Sequence, residues 1–351
     1  MIIYIVTYEK YFLGCVDEVL QHALGTWVGE EKKMTDICRL GLGCMGMNRS
    51  NKEQSIRTVH AALEAGITLF NTGEFYNAGE SELVMGEALR GVPRDKYFLS
   101  VKFGVLPCPD GRLYGLDVTP FNIKAHLAYS LKRLNLDYID LFEPARMDLA
   151  YPVEEIVGAM ADLVKEGYIR HIGLTQIDAD TLLRASAVHK IHTVELCYSL
   201  ADRRYEGKMI RTAKETGTMV LAFGLLGHGL LSDNALAGKA RKSLPAGYFD
   251  QENLEGNLQL VRDLQALAEK KGTTISRLAL AWAWEKNPYM SALMGTTKET
   301  HLQDALEALK LELSAEEIEE IERTFPAGKV LGEGMGKFVC RHGRLVTASA
   351  V

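Results

Sequence analysis

None of the six cysteines, Cys15, Cys38, Cys44, Cys108, Cys197 and Cys340, stands in a C-x-x-C pair, and no histidine lies at metal-ligand spacing. We therefore assign no metal, and reduced thiols with no disulfide framework are the expectation for a cytoplasmic protein. No apolar run approaches ~18 residues, so no membrane span is expected. Basic runs are also missing and the formal net charge is −6, which argues against nucleic acid as a partner. What the 351 residues do hold is enough apolar material, 47%, for a sizeable core, so the chain is one large α/β domain or two ordinary ones. Residues 1–34 do not match the rest: Met1–Thr7 is apolar but short and lacks the basic flank of a secretory signal. Either they are a genuine N-terminal extension or, the preferred expectation, the working protein starts at Met34.

From Ile37 onward short apolar strands alternate with amphipathic helices. The strands read are Cys38–Gly43, Thr68–Thr72, Tyr97–Phe103, Tyr138–Phe142, Ile169–Thr175, Thr193–Cys197, Thr218–Phe223 and Met290–Met294. Thr119 caps and Pro120 opens one helix; Pro152 opens the next and Gly167 ends it. Eight strands, each followed by a helix, predict an α/β fold, a (β/α)₈ TIM barrel spanning residues 35–325. A doubly wound sheet is the runner-up. It would need a glycine-rich turn leading into a helix after strand one, and Gly41-Leu42-Gly43-Cys44-Met45-Gly46 leads into loop instead. Residues 104–119, 224–256 and the tail 326–351 carry little periodicity. Either they are long loops at the active-site face or, for the tail, disorder.

The residues at strand ends form a candidate site, because barrel sites are built at the C-terminal ends of strands. Tyr76 follows the second strand, and Lys102 closes an apolar stretch of the third, where an unpaired charge is unusual. Further round come Asn71, Glu143 to Arg146, Thr175-Gln176, Glu195 and Phe223. With the motifs Leu40–Gly46, Phe70–Glu82, Val101-Lys102, Ile139–Phe142 with Arg146-Met147-Asp148, Ile169–Thr175 and Gly295-Thr296-Thr297-Lys298, the chain resembles the aldo-keto reductases over nearly all of residues 36–325.

The resemblance implies hydride transfer between a nicotinamide dinucleotide and a small-molecule carbonyl, with Tyr76 as general acid and Lys102 tuning it. It also implies cofactor contacts from Gly43, Cys44, Met45, Thr175, Gln176, Glu195, Phe223, Gly224, Leu226, Gly227, His228, Gly295, Thr296, Thr297, Lys298, His301 and Asp304. Phe223 would stack on the nicotinamide, Glu195 would accept from its amide, and Asp304 would face the adenine. Lys298 and His301 are the positive candidates for a 2′-phosphate, so NADPH is expected over NADH.

Two positions depart from the family pattern: Asn71 stands where Asp is usual and Ala145 where His is usual. Strand alternation turns Glu143 inward beside Lys102, so Glu143 is expected to replace the missing Asp as its partner, or else to pair with Arg146 or Arg170. The run Phe142–Asp148 looks like the pyridoxal-reductase branch. Tyr76-Asn77-Ala78-Gly79 is similar to the potassium-channel β subunits, which leaves a cofactor-binding sensor as the alternative function. Oligomeric state is not legible.

Overall fold

The computed structural model describes residues 38–239, 247–334 and 339–346; the expected N-terminal extension lies outside them. In chain order the strands are β1 (Leu40–Gly43), β2 (Leu69–Gly73), β3 (Phe98–Phe103), β4 (Val105–Pro107), β5 (Leu113–Leu116), β6 (Ile139–Pro144), β7 (Ile169–Thr175), β8 (Ile191–Cys197), β9 (Met219–Phe223), β10 (Met290–Gly295), β11 (Val339–Arg341) and β12 (Arg344–Val346). Eight of them close a parallel barrel in the order β1-β10-β9-β8-β7-β6-β3-β2, with helices between successive strands. Every residue of β2, β3 and β6 is buried, as strands covered on both faces must be.

Inside the barrel, Leu69, Phe98, Leu141, Met219, Leu221 and Leu293 form an apolar plug. Gly41 belongs to its fit: a Cβ there would lie 2.6 Å from Leu69 and 3.0 Å from Leu293. Two residues further along their strands, Asn71 and Glu143 face the same way as Leu69 and Leu141, and with them the interior turns polar. Between β7 and β8 the register slips at Ile172/Gly173, so that β8 carries one extra residue. Nearby, the rings of His171 and His192 stack 4.0 Å apart.

Helix punctuation largely follows the sequence. Pro120 sits in the first turn of Pro120–Leu134, Pro152 is the N-cap of Val153–Glu166, and Gly167 closes that helix at φ 84°. Thr119, read as a side-chain cap, instead donates its hydroxyl to Asp117 Oδ1 at 2.8 Å. The stretch 224–256 is shorter as a loop than expected, because helix Gln251–Lys270 begins inside it.

The largest difference from the sequence reading lies in 104–119 and the tail. β4 and β5 form a hairpin directly after β3, and β12 of the tail pairs with β5, giving a sheet ordered β11-β12-β5-β4. Asp148, just after β6, fixes the tail hairpin by accepting from the His342 and Gly343 backbone N–H groups at 3.0 and 2.6 Å. Leu149 N–H donates to the Cys340 carbonyl at 2.8 Å. Residues 339–346 of the tail are thus a strand pair docked where β3 and β6 end.

Candidate active site

Lys102 is the centre of the polar layer. It is 4% exposed on a strand buried throughout, so its ammonium needs a counter-charge. That charge comes from Glu195 on β8: both carboxylate oxygens lie on Lys102 Nζ, at 2.8 and 2.9 Å. Asn71 completes the group. Its Oδ1 accepts from Lys102, and its Nδ2 donates to Glu195 Oε2 at 2.8 Å. The amide therefore bridges cation and carboxylate with the correct end toward each.

Glu143 does not pair directly with Lys102, contrary to the sequence reading. The two are in register on adjacent strands, but the Glu143 carboxyl turns to Ser100, one layer below, whose hydroxyl donates to Oε1 at 2.6 Å. Its other donor is Asn71 Nδ2 at 3.3 Å. The long lysine side chain reaches across the barrel instead. Burial alone would push the Lys102 ammonium pKa down; the Glu195 carboxylate, helped by Tyr76 and Glu143, reverses this and lifts it above the ordinary value. An aspartate at position 71 would set a carboxylate oxygen where Nδ2 now meets Glu195. With Glu195 supplying the negative charge, the neutral amide is the compatible residue.

Tyr76 is half-buried at the mouth, with its ring centroid 5.3 Å from Lys102 Nζ. Burial raises the phenol pKa, Lys102 opposes it, Glu195 adds to the rise, and the net direction is upward. The hydroxyl therefore holds its proton more firmly than the Lys102 charge alone would have it. The segment that carries Tyr76 is tightly tied down. Asn77, at φ 50°, donates from Nδ2 to the Met45 and Met47 carbonyls at 3.0 and 2.9 Å. From below, Glu74 accepts from the Gly104 N–H at 2.7 Å and lies 2.8 Å from His126 Nδ1. Arg133 packs so closely under Gly79 that a Cβ there would meet its Cδ at 2.9 Å. None of these supports was legible, because each joins groups from separate elements.

Around the same mouth lie the residues read as cofactor contacts. Gly43 meets Gly295 closely, a Cβ on Gly43 falling 3.2 Å from the Gly295 Cα. Cys44 is fully buried and its thiol pKa is pushed up to about 12 by burial, while Met45 is exposed. Thr175 Oγ1, at the end of β7, is buried with no hydrogen-bond partner among the described residues. Gln176 has φ 54° and accepts the Cys197 N–H on Oε1 at 3.2 Å. Glu195, read as an amide acceptor, has both oxygens engaged by Lys102 and Asn71. Phe223 ends β9 half-buried, and Gly224, Leu226, Gly227 and His228 follow in a tight turn. A Cβ on Gly224 would lie only 3.1 Å from Cys197 Sγ, and the φ of 72° at this position suits glycine.

Across the mouth, Gly295 is exposed, Thr296 Oγ1 accepts the Lys298 N–H at 3.0 Å, and His301 Nδ1 lies 3.3 Å from the same oxygen. Lys298 is the exposed N-cap of helix Glu299–Ala308, where backbone N–H groups and the dipole favour an anion. Asp304, read as an adenine contact, is ion-paired with Arg277 at 2.7 Å. An orphaned hydroxyl at Thr175, an aromatic at Phe223 and an exposed helix N-terminus with Lys298 and His301 are groups that could hold a nicotinamide dinucleotide.

Comparisons with known proteins agree with this fold. A model of the Aldo/keto reductase family matches residues 39–324. A Glycine max protein named "Probable aldo-keto reductase 1" is 33% identical over 309 residues, covering 85% of this chain and 88% of its own. A solved glycerol dehydrogenase from Gluconobacter oxydans superposes with a TM-score of 0.72 at 25% identity, over 83% of this chain and 93% of its own. An aldo/keto reductase from Klebsiella pneumoniae, solved in complex with NADP and acetate, gives 0.65 at 26% identity, over 89% and 95%. Among the described residues no helix is long and apolar enough to cross a membrane.

Proposed function

The chain belongs to the aldo/keto reductase family, and from this we propose that it reduces the carbonyl of a small aldehyde to an alcohol with NADPH, Tyr76 serving as the proton donor. The observation that carries the reading is the buried Lys102, held charged by Glu195 at 2.8 Å and set 5.3 Å from the Tyr76 ring. A reduced nicotinamide, when bound, supplies the hydride. As negative charge develops on the carbonyl oxygen, Tyr76 Oη gives up its proton and the Lys102 ammonium stabilises the phenolate left behind. Thr175, Gln176 and Phe223 would hold the nicotinamide end, and Thr296, Lys298 and His301 the phosphate end. Lys298 and His301 support NADPH over NADH, since an ammonium contact to a 2′-phosphate is a charge-assisted hydrogen bond.

Within the aldehydes we place pyridoxal first, on the run Glu143-Pro144-Ala145-Arg146 and its likeness to the pyridoxal-reductase branch. The alternative, a cofactor-binding sensor with little turnover, drew on Asn71 and Ala145; the intact ion pair at Lys102 supports catalysis instead. The test is NADPH oxidation by purified protein with pyridoxal and a panel of simple aldehydes, with binding titrated in parallel. Turnover on at least one aldehyde is expected, fastest on pyridoxal. Tight NADPH binding with no turnover on any of them would overturn the proposal.

A further inference from the structure

The polar layer contains two carboxyl groups and one ammonium, all essentially removed from water: Glu143 is 0%, Glu195 3% and Lys102 4% exposed. Glu195 accepts from Lys102 and Asn71 and lies within hydrogen-bonding reach of the Glu143 carboxyl. Glu143 is bonded on one side only. Its Oε1 accepts from Ser100 at 2.6 Å and Asn71 at 3.3 Å. Its Oε2 has no hydrogen-bond partner among the described residues, and neither has the buried Thr193 Oγ1. Both atoms face Gly173: they lie 2.7 and 2.6 Å from the point where a Cβ on that residue would sit. Glycine at 173 is thus what gives the Glu143 carboxyl room.

A buried carboxylate needs donors on both oxygens, whereas a carboxylic acid needs an acceptor for its proton, which the Glu195 carboxylate within hydrogen-bonding reach supplies. We propose that Glu143 is a positioning residue acting as a neutral carboxylic acid: its carbonyl oxygen holds the Ser100 hydroxyl, which in turn accepts from the Asn71 amide at 3.0 Å, so that Asn71 presents oxygen to Lys102 and nitrogen to Glu195. The groups around it give the same sign. Burial first, and then the Glu195 charge, push the Glu143 carboxyl well above the usual range, with Lys102 and Ser100 opposing. Ionising it would bring a second negative charge beside Lys102 and raise the Tyr76 phenol further. Glu143 would then contribute to the alkaline limb of the pH–rate profile.

The inference rests on the proposed role of Lys102 and Tyr76, so its test includes an arm independent of turnover. Difference infrared spectra of the whole protein near neutral pH should show the carbonyl stretch of a protonated, buried carboxyl, lost in Glu143→Gln. Glu143→Gln keeps the acceptor oxygen and the neutral charge. It should retain aldehyde reduction to within about 3-fold near neutral pH and move the alkaline limb upward, while Glu143→Ala should lower kcat at least ~10-fold with little change in KM. Absence of the infrared band overturns the inference whether or not the enzyme turns over. So does a Glu143→Gln protein that folds and melts like the parent yet loses as much neutral-pH activity as Glu143→Ala.

Discussion

At the scale of single residues, Lys102, Glu195 and Asn71 work as one unit: a cation, its counter-charge and an amide that bridges them. Removing one partner of a buried pair is costly, about 3–5 kcal/mol, because the other charge is stranded. Glu195→Gln should therefore destabilise the fold by that order, drive the Lys102 ammonium toward neutrality, and cut turnover. Asn71→Asp should also harm activity, by placing a carboxylate 2.8 Å from Glu195 Oε2. The double change Asn71→Asp with Glu195→Gln restores one carboxylate and one amide against the same ammonium. It should recover stability and activity beyond the sum of the single effects, with a coupling of at least ~1 kcal/mol in denaturant titrations. Purely additive losses would mean that the two residues do not act together. That Tyr76 and Lys102 lie at the barrel mouth could be read from the sequence, because one follows the second strand and the other nearly closes the third. The true partner of Lys102 could not, since alternation reveals which face a residue occupies but not which side chains converge across a barrel from 93 positions away.

Among the elements, the strands and helices of the barrel were legible from apolar runs and from Pro120, Pro152 and Gly167. The outer sheet was not. β4 and β5 are three and four residues long, and the partner of β5 lies more than 200 positions along the chain in a glycine-rich tail with no alternation. Its anchor is Asp148, whose Oδ1 and Oδ2 accept from three backbone N–H groups: Ala150, His342 and Gly343. Asp148→Ala strands these donors, each worth about 1–3 kcal/mol if left unsatisfied in a buried setting. A melting-temperature loss of several degrees is expected, with faster hydrogen exchange at His342 and Gly343 and little change in the barrel strands. Unchanged exchange at those two amides would show that the tail hairpin is held by other contacts.

For the molecule as a whole, the fold sets a polar layer on an apolar plug, and His192, stacked on His171, is expected to set an acid limit. Burial, reinforced by His171 and Lys190, lowers the His192 pKa to about 3 from an ordinary 6.5. Between those values the unfolded chain binds a proton that the folded chain refuses, so stability rises with pH in that window and falls as pH drops through it. The loss should reach on the order of a few kcal/mol by pH 3. His192→Gln should flatten this part of the acid-unfolding curve; a curve as steep as that of the parent would show that other groups govern it. The chemistry is tested most directly by NADPH oxidation with an aldehyde substrate in Tyr76→Phe, with NADPH affinity titrated in the same samples. The account predicts at least a ~10²-fold loss of kcat with cofactor affinity nearly unchanged, because only the proton at Tyr76 Oη has been removed. Activity within a few-fold of the parent would contradict it and place the proton donor elsewhere in the mouth.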